Sequence, residues 1–208
     1  MARLLYIEAS PRKKRSSSIE VAKTFLDEYK KVHPQDEVNT IDLWQKEIPR
    51  FDGDVIDSKY AIMHGQAHTE AQRKAWRAVE QAIAEFKNAD KYLFSIPMWN
   101  FLIPYVLKQY IDVIVQPSYT FTIAPDQSYQ GLVVGKPAAI IYSRGGAYGP
   151  GSGGEDFDIQ QKYMESILKF IGFKDIRPIV VEPTEGPGAK EKAIAKGKEE
   201  ALKVAASF

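Results

Sequence analysis

The chain has 208 residues, 28 Lys+Arg against 27 Asp+Glu, 44% hydrophobic residues and no cysteine. That length predicts one domain, residues 1–208, with a core large enough to need no covalent staples, and the missing cysteine excludes disulfides, thiol catalysis, Fe–S clusters and Cys-ligated zinc. A formal charge of +1 removes the footprint of a general nucleic-acid binder, and apolar runs far short of the ~20 residues of a membrane helix predict a cytoplasmic protein.

The pattern alternates between short apolar runs and amphipathic stretches. Leu4–Ile7 is an apolar run ending at Ser10-Pro11, which predicts a buried strand and a turn. Ile19, Ala22, Phe25, Leu26 and Tyr29 recur at helical spacing, with Ser16–Ser18 as capping hydroxyls in front of them. Val38–Leu43 reads as a second strand. Glu47 to about His68, punctuated by Pro49, Gly53 and Gly65, reads as a long excursion with little regular structure. Ala71–Lys87 carries an apolar stripe of Ala75, Val79, Ala82, Ile83 and Phe86 and predicts a helix.

Tyr92–Pro97 predicts a third strand, Tyr105–Val115 a helix, and Thr120–Leu132 a hairpin around Pro125-Asp126. Ala138–Tyr142 is apolar throughout, as a strand covered on both faces should be. Gly145–Gly154 is a glycine-rich loop. Ile159–Phe170 reads as a helix with Gly172 as its C-cap, Ile176–Val181 as a fifth strand, and Ala189–Ala206 as a final helix of alternating Lys, Glu and Ala. Five strands alternating with five helical segments predict an α/β doubly wound parallel sheet. Ligands of such sheets bind at the carboxyl ends of the strands, where three loops stand out.

In Ser10–Ser18, hydroxyls, backbone N–H groups and the positive end of a helix converge, which is a phosphate site in physical terms; Arg12, Lys13, Lys14 and Arg15 would raise the local potential. The same residues also suit a capped helix after a solvated basic loop, or a basic targeting or nucleic-acid patch. Met98-Trp99-Asn100-Phe101 puts an amide able to bond a heterocycle between aromatics able to pack on a flat ring, or else is a core turn. Ser143-Arg144-Gly145-Gly146 allows close backbone approach and offers N–H groups to negative charge, or else is a flexible loop.

Other patterns carry less. Gly131–Pro137 has one residue too few between its glycines for a nucleoside-triphosphate loop. Gly149, Gly151 and Gly154 spell G-x-G-x-x-G, but after the fourth strand rather than the first, and Asp175 precedes a strand instead of following one. His64 and His68 could share a helical face as metal ligands do, but no Glu follows the first as in H-E-x-x-H, and no metal is expected. His33 suits a helix C-terminus. Trp44 and Trp76 read as core or interface packing, and Glu185–Glu199 as a solvated helix face.

Taken together, the Ala9-Ser10-Pro11 and Ser16–Ser18 segments, the Pro97–Phe101 segment PMWNF and the Ser143–Gly146 segment SRGG resemble the FMN-dependent NADH-azoreductases, which are flavodoxin-like quinone reductases. The resemblance spans essentially the whole chain. It implies a flavodoxin-like five-stranded sheet of order 2-1-3-4-5 and a homodimer with its active sites at the interface. It also implies non-covalent FMN, with NADH or NADPH as donor and quinones and azo compounds as acceptors. Carried over by position, Ser10 and Ser16, Ser17 and Ser18 hold the phosphate; Met98, Trp99, Asn100 and Phe101 run along the isoalloxazine; Ser143, Arg144, Gly145 and Gly146 face its N1/O2 side. Phe121, Tyr148 and Phe170 line the substrate pocket, with Phe170 reaching across the dimer. Trp99 departs from the family, which more often has tyrosine there.

The implied reaction is hydride transfer through flavin N5 with ping-pong kinetics. Backbone donors near N1/O2 would stabilise developing charge. The flavin carries the chemistry, so no catalytic side chain is assigned. Two rivals remain at this point: a flavodoxin-type single-electron carrier, and a flavin-free phosphate-ligand-binding module of the same fold.

Overall fold

The computed structural model describes residues 1–67 and 69–208. Five parallel strands form one sheet: β1 (Arg3–Glu8), β2 (Glu37–Asp42), β3 (Lys91–Pro97), β6 (Ala138–Ser143) and β7 (Ile176–Val181), in the order β2-β1-β3-β6-β7. This is the flavodoxin-like order that the motif resemblance implies. Every neighbouring pair is parallel, in registers such as Leu5↔Tyr92 and Ile141↔Ile179. β6, central and wholly buried, is apolar at five of its six positions, whereas edge strand β2 buries only Ile41. An antiparallel hairpin of β4 (Phe121–Ile123) and β5 (Tyr129–Gly131) stands apart, where the sequence predicts it.

Strand alternation splits the core. Leu4, Tyr6, Leu93, Ala139, Ile141 and Val181 face α1 (Ser17–Val32) and α6 (Ala189–Ala206). Leu5, Ile7, Tyr92, Phe94, Ile96, Ile140 and Tyr142 face α3 (Glu70–Lys87), α4 (Tyr105–Ile114) and α5 (Ile159–Ile171). α1 turns Val21, Ala22, Phe25 and Tyr29 inward, all fully buried; burying a side chain such as Phe25 contributes roughly 1.5–3 kcal/mol. Gly172 caps α5 in the left-handed region, at φ 117°. No helix among the described residues is long and apolar enough to cross a membrane.

The excursion after Glu47 departs from expectation. It contains a regular helix, α2 (Gly53–Met63), started by the Asp52 carboxylate, which accepts from Val55 N–H at 3.3 Å. Gly53 and Gly65 are not breakers within a segment; they sit at or beyond the helix ends. α2 packs on α3 through Val55 and Ser58, with much of its surface exposed, so it offers little apolar stripe to read. The His64–His68 pairing considered above includes a residue outside those described.

Candidate functional site

The chain leaves β1 for β2 on one side and β3 lies on the other, so the switch point of the sheet is the crevice between β1 and β3, where ligands of open α/β sheets bind. Hydrogen bonds continue past the strand ends and fix the loop stems there. Ala9 N–H donates to Ser95 O at 3.1 Å, Met98 N–H to Ser143 O at 2.8 Å, and Arg144 N–H to Val181 O at 3.1 Å.

The serine loop opens the site. Ser10 and Ser18 are fully buried, and Ser16 and Ser17 nearly so. Ser16 is the N-cap of α1: its hydroxyl accepts from Ile19 N–H at 3.4 Å and lies 3.2 Å from Ser18 Oγ. The N–H groups of Ser17 and Ser18 find no acceptor among the described residues. These donors carry the positive end of a 16-residue helix. The basic residues divide. Arg12, Lys14 and Arg15 are exposed. Lys13, at φ 47°, folds back onto Glu8 and Asp42. Burial opposes its charge, but hydrogen bonds to Asp42 and Glu8 prevail and raise its pKa. Its charge is neutralised locally and belongs to the loop's scaffold.

After β3 the chain makes a tight turn. Trp99 and Leu102 exchange both backbone hydrogen bonds, each 2.9 Å, while Asn100 and Phe101 between them have φ of 48° and 67°. Asn tolerates the left-handed region; Phe does so at a cost of order 1–3 kcal/mol. Strain of this kind persists only where surrounding structure enforces it, and here it sits at the ligand end of the sheet. Phe101 is partly exposed and packs near Phe157 (4.9 Å between centroids) and Tyr148 (6.2 Å).

Trp99 lies against Trp44 at 5.7 Å and Tyr105 at 6.2 Å, and the Trp44 indole N–H donates to Ala9 O at 3.0 Å. Trp44 thus ties the first loop to the third strand's turn. The sequence places it only as packing, although its position two residues beyond β2 marks it as a strand-end residue. A cleft of about 950 Å³ opens beside Trp99 and Asn100, walled by Tyr105, by Tyr163 of α5, and by Arg50 and Lys59 of the excursion. Burial lowers the Lys59 pKa.

The third loop is split by its chemistry. The Arg144 side chain turns inward, 2% exposed as a residue, onto Asp158 (2.9 Å) and Glu182 (3.2 Å). The motif's guanidinium is therefore structural, a role sequence spacing does not reveal. Gly145 and Gly146 N–H find no acceptor among the described residues. A Cβ on Gly145 would come within 2.9 Å of Glu185 Cδ, and one on Gly146 within 3.2 Å of Tyr148 Oη.

The three loops thus collect buried hydroxyls, helix N–H groups, an Asn amide and two unpaired glycine N–H groups. That donor set fits a phosphate at one end and carbonyl or ring-nitrogen acceptors at the other. The aromatic residues assigned to a substrate pocket fall into two groups. Tyr148 joins Phe101 at the carboxyl end of the sheet. Phe121 and Phe170, 4.8 Å apart with Tyr129 beside them, lie where the hairpin docks on the far end of α5, Val133 N–H donating to Ile171 O at 2.8 Å. At ~1.5 Å per residue, Phe170 is roughly 16 Å along the axis from the start of that helix.

A doubly wound sheet of this order with a phosphate-type helix N-terminus at its switch point defines a flavodoxin-like protein. The chain belongs to the family described as having the flavodoxin-like fold, which matches residues 2–205. It is 48% identical over 206 residues to the FMN-dependent NADH:quinone oxidoreductase of Desulfotalea psychrophila, covering 99% of this chain and 97% of that one. It is 44% identical over 210 residues to the protein of the same name from Nitratidesulfovibrio vulgaris, with full coverage of both. Among solved structures, an azoreductase from Bacillus anthracis str. Sterne superposes with a TM-score of 0.91 at 33% identity over the whole of both chains. An FMN-dependent NADH-azoreductase from Bacillus anthracis str. Ames Ancestor in complex with FMN superposes at 0.90 and 26% identity, covering 100% of this chain and 99% of that one. The resemblance carried by the three motifs is borne out.

Proposed function

We propose that the protein is an FMN-dependent oxidoreductase that uses NADH or NADPH to reduce quinones and azo compounds. The observation that carries this reading is a serine-lined helix N-terminus after β1, at the switch point, together with the unpaired N–H groups of Gly145 and Gly146 after β6, both at the carboxyl edge of one sheet. The names of the relatives agree with it. FMN, when bound, would supply the redox chemistry, a hydride-level, two-electron passage through N5 from the nicotinamide donor to the acceptor.

The chain's own residues bind and orient. Ser10 and Ser16–Ser18 would hold the phosphate through hydroxyls and the free N–H groups of the α1 N-terminus. Asn100, fixed in its tight turn, would offer its amide to the polar edge of the ring, with Met98, Trp99 and Phe101 beside it. Gly145 and Gly146 N–H would favour negative charge on the N1/O2 side without reorganisation. No side-chain acid or base is needed, and one pocket serving donor and acceptor in turn gives ping-pong kinetics.

The assembly implied by the motif resemblance is a homodimer with its active sites at the interface. Phe121 and Phe170 pair with each other toward the C-terminal end of α5, apart from the Phe101–Tyr148 pair, and a partner copy that supplies them to the Asn100 turn is the arrangement this reading requires. The 1–208 chain acts as one domain, since both core layers share one sheet. A cysteine-free composition suits a cytoplasmic setting.

The test is a visible spectrum of the purified protein with FMN, followed by anaerobic NADH titration. A bound-flavin spectrum that bleaches in a single two-electron stage is the expected result. Bleaching through a persistent one-electron stage would favour an electron carrier, and failure to take up FMN would overturn the reading.

A further inference from the structure

Glu182 follows directly on β7 and takes no part in the site as read from the motifs, yet three groups of the glycine-rich loop converge on its carboxylate. Tyr148 N–H donates to Oε2 at 3.1 Å, Gly149 N–H to Oε1 at 2.9 Å, and Arg144 Nη1–H to Oε2 at 3.2 Å. Its side chain is 14% exposed, and that of Arg144 1%. Arg144 is itself held on its other side: Nη2 lies 2.9 Å from Asp158 and 3.0 Å from Gln161 Oε1, Nε donates to Gln160 Oε1 at 3.2 Å, and the Tyr142 ring lies beneath. The residues after Glu182 bind the same loop from its carbonyl side. Thr184 N–H donates to Arg144 O and Gly145 O at 2.9 and 3.0 Å, and Glu185 N–H to Gly145 O at 3.1 Å.

A loop of glycines has no side chains to hold its shape and loses the most conformational freedom on ordering. Here the backbone of residues 144–149 is held by hydrogen bonds to the end of β7 and the residues after it, while Gly145 and Gly146 N–H find no acceptor among the described residues. We propose that Glu182 is a positioning residue: with Arg144 as its counter-ion, it pins Tyr148 and Gly149 so that the Gly145 and Gly146 N–H groups stay preorganised toward the ligand. The inference rests on the FMN reading for the identity of that ligand. A buried ion pair is poor evidence for stability, but a carboxylate spent on two loop N–H groups and one guanidinium is well suited to fixing a conformation. Preorganised donors cost nothing to reorient when charge develops, so their loss should fall more heavily on reduced than on oxidised flavin.

The experiment compares wild type, Glu182→Gln and Glu182→Asp by three readouts: amide hydrogen exchange in flavin-free protein, the dissociation constant for FMN, and the midpoint potential of bound FMN. Gln keeps one acceptor but turns an NH₂ toward donors on the other side. The expected result for Glu182→Gln is faster exchange confined to residues 144–149, about tenfold weaker FMN binding (about 1.4 kcal/mol), and a lower midpoint potential. Glu182→Asp should recover part of each. Unchanged exchange in the loop, or unchanged potential with FMN still bound, would overturn the proposal. So would exchange raised across the whole sheet, which would mark Glu182 as a stability residue only. If wild type takes up no FMN, the functional reading fails, while exchange in the flavin-free protein still tests the clamp.

Discussion

Lys13 and its neighbours look alike as a string of cations, but folding gives them different jobs. Lys13 is bound to Glu8 and Asp42, whereas Arg12, Lys14 and Arg15 remain in solvent. Exposed charges are screened by salt and partly buried pairs far less. Arg12→Ala with Arg15→Ala should therefore weaken FMN binding several-fold at low ionic strength and hardly at all at 0.5 M salt. Lys13→Ala should weaken it by a similar factor at both, because it releases the loop instead of removing long-range attraction. Fluorescence titration of FMN at two salt concentrations separates the cases. A second residue prediction concerns Asp36. Its carboxyl is held below the ordinary carboxylate range by Ala2 N–H (2.6 Å) and then by the Tyr29 hydroxyl (2.7 Å), with Lys91 nearby. A carboxylate whose pKa is lowered on folding stabilises the protein above its unfolded value and loses that contribution as pH falls through the folded value. Asp36→Asn should cost ~1–2 kcal/mol at pH 7, with the gap in thermal midpoint closing as pH falls through the lowered pKa of Asp36.

Among the elements, those with strong periodicity or strong punctuation were legible. β6 is apolar along its length because both faces are covered, α3 carries a regular stripe, and α5 ends at a glycine that adopts the left-handed region. α2 was not legible, because it buries little more than Val55 and Ser58 and its glycines resemble loop markers. The meeting of β5 with the end of α5 was equally invisible, since it depends on two glycines distant in sequence. A Cβ on Gly131 would lie 2.2 Å from Gly172 N, closer than any packing rearrangement of side chains can relieve. Gly131→Ala should cost about 3 kcal/mol, read as a lower denaturant midpoint. It should also detach the hairpin that carries Phe121.

At the scale of the molecule, the two separate aromatic pairs, Phe101 with Tyr148 and Phe121 with Phe170, set the test of the proposed assembly. Two variants expected to lose most activity, Asn100→Ala and Phe170→Ala, can be co-expressed with different tags and purified as the mixed dimer. If each site draws Asn100 from one copy and Phe170 from the other, one site carries both lesions and its twin carries none. Activity should return to about half that of wild type. If each site lay within one chain, both sites would keep one lesion and no activity would return. Sedimentation of the wild type should show a dimer under the same conditions.

The sequence by itself determined the strand and helix alternation, because burial on one or two faces imposes its own period. It also singled out three loops at the carboxyl edge of the sheet, because serine hydroxyls, an Asn between aromatics and paired glycines are chemically conspicuous wherever they stand. Only the tertiary structure decided which of those groups stay free and which are taken up inside the chain. Lys13 and Arg144 are cations in the right motifs whose charges are taken up internally by Glu8, Asp42, Asp158 and Glu182. Apart from Glu8, five residues before Lys13, their partners are distant in sequence, and no local pattern records a contact between residues that meet only when the sheet closes.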